Sequence, residues 1–161
     1  MTVPEYNKSV DDFSDGLYRF VLKNTGDGDR ARDIVQDTYE KLWVRISFVN
    51  AAKVKSYLFT TAYHTLIDVL RKEKRLASLE DQKMDVQADP DHYTGLKEVL
   101  DEAISHLSPD QRSVIMLRDY EGYSYEEIAE ITGLSESQVK VYIFRGRMFL
   151  KRYLGKIEAI L

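Results

Sequence analysis

A serine followed three residues later by glutamine or glutamate heads an apolar-periodic stretch at Ser108–Gln111, Ser124–Glu127 and Ser135–Gln138. Each is a helix start: the hydroxyl accepts a backbone N–H that the first turn leaves unpaired, and the acid or amide reaches back to the serine N–H. Pro109 stands where a first helical residue needs no N–H of its own. Starts this closely spaced cut the second half of the chain into four helices, beginning near Leu96 and at the three serines, and leave no room for strands.

Between the last two starts, Glu127 to Thr132 leads into Gly133 and then a longer helix, which is a helix-turn-helix pattern. Ala129 is small where the second helix crosses, Gly133 supplies the positive φ of the tight turn, and Val139 fills the angle between the helices. The second helix then turns Ile143, Gly146, Leu150 and Leu154 inward and Ser137, Gln138, Lys140, Val141, Phe144, Arg145 and Arg147 outward. Gln138, Lys140 and Arg145 suit base edges or phosphates, and Phe144 suits a thymine methyl. The competing reading is a packing motif with a solvated basic face.

The first half is helical as well. Phe13, Leu17, Phe20 and Val21 mark a helix over Asp11–Lys23 that stops at Gly26-Asp27-Gly28. Asp29 is placed to cap a second, with Ala31, Ile34, Val35, Thr38, Leu42 and Ile46 inward. A third runs from Lys53 to Arg75 on Val54, Leu58, Ala62, Leu66, Val69 and Leu70, with Thr60, Tyr63, His64, Ile67 and Arg71 sharing another face. The expected fold class is all-α: two small helical domains, 1–75 and 96–161, joined by a flexible acidic linker over 76–95 that holds Asp89-Pro90-Asp91.

Charge is distributed rather than uniform. The chain carries a net charge of -4, yet every charged residue from Lys140 to Lys156 is basic, and so is the cluster Arg71, Lys72, Lys74 and Arg75 apart from Glu73. Contact with DNA is therefore expected to be local. Among the chain's 161 residues there is no cysteine and no apolar run of membrane-spanning length, and the N-terminus lacks a secretory pattern, so a cytoplasmic protein without membrane insertion is expected. The best catalytic pair, His64 and Asp68 one helical turn apart, has no second histidine nearby, so neither an enzyme nor a metal site nor a cofactor is expected.

Three segments in order resemble the extracytoplasmic-function sigma factors of bacterial RNA polymerase. Ala31–Trp43 is similar to the polymerase-binding helix of the family's sigma-two domain, and the resemblance implies that Asp33, Gln36, Asp37, Glu40 and Trp43 dock on the coiled coil of the polymerase's largest subunit. Tyr57–Arg71 looks like the helix that opens and reads the downstream promoter element. Thr60, Tyr63, His64, Ile67 and Arg71, extended by Lys72, Lys74 and Arg75, would then meet the melted strand, with Phe48 and Asn50 in the loop that pockets an extruded base. Leu107–Arg147 resembles the sigma-four domain, whose helix-turn-helix reads the upstream duplex.

The sequence departs from the family at Tyr57, where tryptophan is usual, at His64, where asparagine is usual, and at Ser137–Tyr142, where the family commonly has Gly-Thr-Val-Lys-Ser-Arg. The resemblance also implies an anti-sigma factor, often membrane-tethered, as a partner beside core polymerase and promoter DNA. The alternative function is a stand-alone helix-turn-helix regulator that binds duplex unaided.

Overall fold

A computed structural model describes residues 1–80 and 95–160, and every regular element among them is helical. Helix α1 (Val3–Thr25) starts at a capping box between Thr2 and Glu5 and ends at Gly26. It begins well before Asp11, where the apolar stripe was expected to start. The cause is the Thr2-Val3-Pro4-Glu5 start device, followed by a turn whose inward residues, Tyr6 and Ser9, are not apolar enough to register as periodic.

Helix α2 (Gly28–Val44) is capped by Asp27, not by Asp29: the Asp27 Oδ1 accepts from the N–H groups of Asp29 at 3.0 Å and Arg30 at 3.3 Å. Asp29 lies in the first turn and pairs with Arg32. After a short 3-10 turn over Ala51–Lys53, helix α3 runs from Val54 to Glu80. Residues 76–80, expected in the linker, are thus helical, because Leu76, Ala77 and Leu79 are good helix formers with no breaker among them. The rest of the expected linker, 81–94, lies outside the described residues.

The first half packs α1, α2 and α3 around Leu17, Phe20, Val21, Ala31, Leu42, Leu58, Ala62 and Leu66, all fully buried. Each of the leucine, phenylalanine and valine side chains among them contributes about 1.5–3 kcal/mol by leaving water. In the second half, α4 (Leu96–Ser105) is followed by α5 (Pro109–Ile115), which continues as a π-helical segment over Met116–Tyr120. Then come α6 (Tyr125–Thr132) and α7 (Glu136–Ile160).

Helices α5 and α7 meet closely at one point. A Cβ on Gly146 would stand 2.3 Å from the Ile115 Cδ1, and Ile115 is itself buried. Gly146→Ala is therefore expected to lower stability by about 1–3 kcal/mol through overpacking. A thermal melt followed by circular dichroism checks this, and an unchanged midpoint would contradict the close approach.

The two halves do not stand apart. Helices α1 and α3 pack against α4, α5, α6 and the π segment, and Phe59 of the first half meets Tyr123 of the second with ring centroids 5.3 Å apart. The buried apolar side chains form one continuous cluster across this seam.

Candidate nucleic-acid and polymerase interfaces

The helix-turn-helix is assembled from local bonds. Ser124 Oγ accepts from the Glu127 N–H at 3.1 Å while Glu127 accepts from the Ser124 N–H at 3.1 Å, and those bonds hold the Glu127 carboxyl below its ordinary range. Gly133 has φ 75°, a left-handed conformation that favours glycine, and its N–H donates to the Ala129 carbonyl at 2.9 Å. Ser135 and Gln138 then form a second reciprocal pair at 3.1 and 3.0 Å. With Val139, Ile143 and Gly146 buried, α7 turns Ser137, Gln138, Lys140, Val141, Phe144, Arg145 and Arg147 to solvent, the outward set expected.

These residues are not equally available. The Gln138 carbonyl oxygen is engaged in capping its own helix. Arg147 donates from Nε to Asp119 at 3.2 Å, and that bond raises the guanidinium above its ordinary pKa. Lys140 lies over the Tyr125 ring at 5.6 Å and 3.7 Å from Glu136. Arg145 has no ion pair among the described residues and stands beside Phe144, which is 66% exposed.

On α3, His64, Asp68, Arg71, Lys72, Lys74 and Arg75 are exposed and Thr60 is half-buried. Tyr63 and Ile67, expected on the same open face, are buried. Tyr63 is 5% exposed, and its hydroxyl donates to the Asp110 Oδ1 at 2.9 Å. Burial and that carboxylate push the phenol well above its ordinary pKa. Asp110 belongs to the Ser108–Gln111 helix start, so a residue noticed for its local role also covers the face of another helix.

On α2, Asp33, Gln36 and Glu40 are exposed, and the partly exposed Asp37 pairs with Lys41 at 3.0 Å. Trp43 is half-exposed and held edge-on to Tyr6 with centroids 5.2 Å apart. Val44 and Phe48 lie open just beyond it, so the acidic and amide face ends in an apolar patch. Asn50 accepts from the Ala52 N–H at 3.0 Å and so fixes the turn into α3. Val44 and Tyr6 were not singled out in the sequence; an aromatic directly after Pro4 and Glu5 gave no periodic signal of its partner in α2.

Residues 10–76 match the family described as Sigma-70 region 2, and residues 97–150 match Sigma-70, region 4. Over 157 residues the chain is 31% identical to the ECF RNA polymerase sigma factor SigM of Bacillus subtilis, covering 94% of each protein. The chain belongs to the ECF sigma factors. RNA polymerase sigma factor SigV of the same bacterium is 32% identical over 152 residues, spanning 91% of this chain and 89% of that one. The sigma factor RpoE of Bartonella quintana, solved in complex with the anti-sigma factor NepR, superposes with a TM-score of 0.79 at 29% identity over 95% of this chain and 98% of its own.

As an ECF sigma factor the protein directs RNA polymerase in DNA-templated transcription initiation. Sigma factors are a non-enzymatic class of initiation factor, and the region 2 match disfavours a stand-alone helix-turn-helix regulator. Among the described residues no helix of this sigma factor is long and apolar enough to cross a membrane.

Proposed function

We propose a division of labour in which residues 1–75 bind core polymerase and melted DNA and residues 96–161 read the upstream duplex. Asp33, Gln36, Asp37, Glu40 and Trp43 would dock on the polymerase coiled coil. His64, Arg71, Lys72, Lys74 and Arg75, with Thr60, Tyr63 and Ile67, would hold the melted strand. Ser137, Gln138, Lys140, Val141, Phe144, Arg145 and Arg147 would face the upstream major groove. We place the protein in the cytoplasm, where its polymerase and template are.

One observation carries this reading: three surfaces of different chemistry lie open on three helices of a single chain. They are the acidic and amide face of α2 ending at Trp43, the basic end of α3, and Arg145 beside Phe144 on α7. Carboxylates suit a basic protein surface, clustered cations suit a flexible phosphate chain, and a guanidinium beside an aromatic ring suits base edges. The solved RpoE complex with NepR supports an anti-sigma factor as a further partner, one that would cover these surfaces.

The test separates two of the surfaces. Arg145→Ala is expected to reduce promoter-specific run-off transcription about tenfold, as loss of one base or phosphate contact does, with core binding unchanged. Asp37→Ala is expected to weaken core binding, with run-off restored at saturating factor. Parallel losses in both assays from both variants would overturn the assignment.

A further inference from the structure

The last turns of α3 run out beyond the core. Its final buried residues are Leu66 and Ile67, and from 71 to 79 only Glu73 is half-buried while its neighbours are exposed. Apolar packing therefore does little to fix the direction of this stretch, which carries Arg71, Lys72, Lys74 and Arg75. What reaches it is an ion pair. Glu73 meets Arg30 of α2, with the two side chains 39% and 40% exposed, and among the described residues this is the one ion pair made by any residue of 71–79.

Arg30 is poorly placed to serve its own helix. It is the third residue of α2 after the Asp27 cap, where an acid or amide could reach back to the N–H of the cap residue, whereas a guanidinium only donates. A cation in the first turn also opposes the positive end of the helix dipole. The Asp27 carboxylate is taken up by the backbone N–H groups of Asp29 and Arg30, and Asp29 is paired with Arg32, so Glu73 is the acid that the Arg30 side chain meets. Further along, Lys41 of α2 donates to Thr65 Oγ1 of α3 at 3.2 Å. Residue 30 meeting 73 and residue 41 meeting 65 set the two helices in opposite directions, so the start of α2 holds the end of α3.

We infer that Arg30 and Glu73 are positioning residues for strand capture: their pair holds the basic end of α3 at a fixed angle to α2 and so sets its four cations relative to the helix that docks on polymerase. The inference rests on the reading in which α3 meets the melted strand and α2 meets polymerase. Glu73, an acid inside a cluster suited to phosphates, then contributes more by anchoring the helix than it costs by repulsion, and Arg30 offsets its charge on the spot.

The sign of one effect decides the matter. Glu73→Gln removes the only negative charge among residues 71–79. Were Glu73 simply a solvated side chain, the variant would bind single-stranded promoter DNA more tightly, since an anion beside the phosphates is gone. Positioning gives the opposite sign: the polymerase-bound factor is expected to bind that strand about threefold more weakly, within the range of a half-exposed ion pair, with the thermal midpoint of the free factor unchanged. A nitroxide on Ser78→Cys, an exposed position in a chain without cysteine, reports the motion of the helix end by electron paramagnetic resonance. Glu73→Gln should narrow its lines. Arg30→Glu combined with Glu73→Arg forms the pair in the reverse sense and should return the lines to their original width.

Tighter strand binding by Glu73→Gln would overturn the inference, as would lines that this variant leaves unchanged or that the reversed pair does not restore. So would an affinity untouched by Glu73→Gln where neutralising the four cations does lower it. The reading of α3 fails in a different way: narrowed lines, with strand affinity unaltered both by Glu73→Gln and by neutralising the four cations, would take the strand away from α3 and leave the anchoring of its end standing.

Discussion

Phe59→Ala is expected to cost about 3–5 kcal/mol of stability, the range for removing a buried aromatic ring. Phe59 is 2% exposed and packs against Phe20 of α1, centroid to centroid at 5.8 Å, and against Tyr123 across the seam at 5.3 Å. The ring is shared by the core of the first half and by the joint with the second. Urea denaturation followed by circular dichroism measures the loss. A cost below about 1 kcal/mol would show that the site collapses freely and that Phe59 is not the shared centre described.

Neutralising Arg71, Lys72, Lys74 and Arg75 together is expected to lower the affinity of the polymerase-bound factor for single-stranded promoter DNA by about a hundredfold at moderate salt. The four side chains are exposed and make no ion pair among the described residues, so all are available to phosphates. The slope of log affinity against log salt should become shallower by about 3, since each phosphate contact on a single strand contributes roughly 0.7. A variant with reduced affinity but an unchanged salt slope would mean that these cations act on the fold or on polymerase and not on phosphates.

Helix-by-helix structure was largely legible, because it depends on residues three or four apart. Ser108, Ser124 and Ser135 each cap the helix expected of them, and Gly133 takes the positive φ that the turn requires. Boundaries failed where the cue was weak, as at Thr2, where polar and aromatic residues replace an apolar stripe, and at Asp27, which out-competes Asp29 for the cap.

The closed seam was not legible, since it joins residues far apart in the chain. One trace of it does exist: α3 buries adjacent residues in pairs, Leu58 with Phe59, Ala62 with Tyr63, and Leu66 with Ile67. At 3.6 residues per turn these six positions cover about half the helix circumference, wider than the roughly 100° stripe of a helix packed on one face, and that width signals a second packed face. In the sequence, Tyr63 and Ile67 fit a nucleic-acid platform as well as they fit a core, and only the position of Asp110 decides between them in the closed form. The π-helical turn over Met116–Tyr120 likewise had no local cue; it allows Asp119 to reach Arg147 and Glu121 to reach Arg19 from the same short stretch.

The caps of the helix-turn-helix join residues three apart, whereas the bonds of the seam join residues 47 apart at Tyr63–Asp110, 88 apart at Asn24–Arg112 and 102 apart at Arg19–Glu121. Closing a long loop costs chain entropy that grows with the logarithm of its length, and a three-residue bond returns almost none when broken. Parting the seam therefore releases chain freedom and leaves every cap intact. Against that gain stands the apolar surface of the seam, where separation would return Phe59 and Tyr123 to water while each helix kept its own caps.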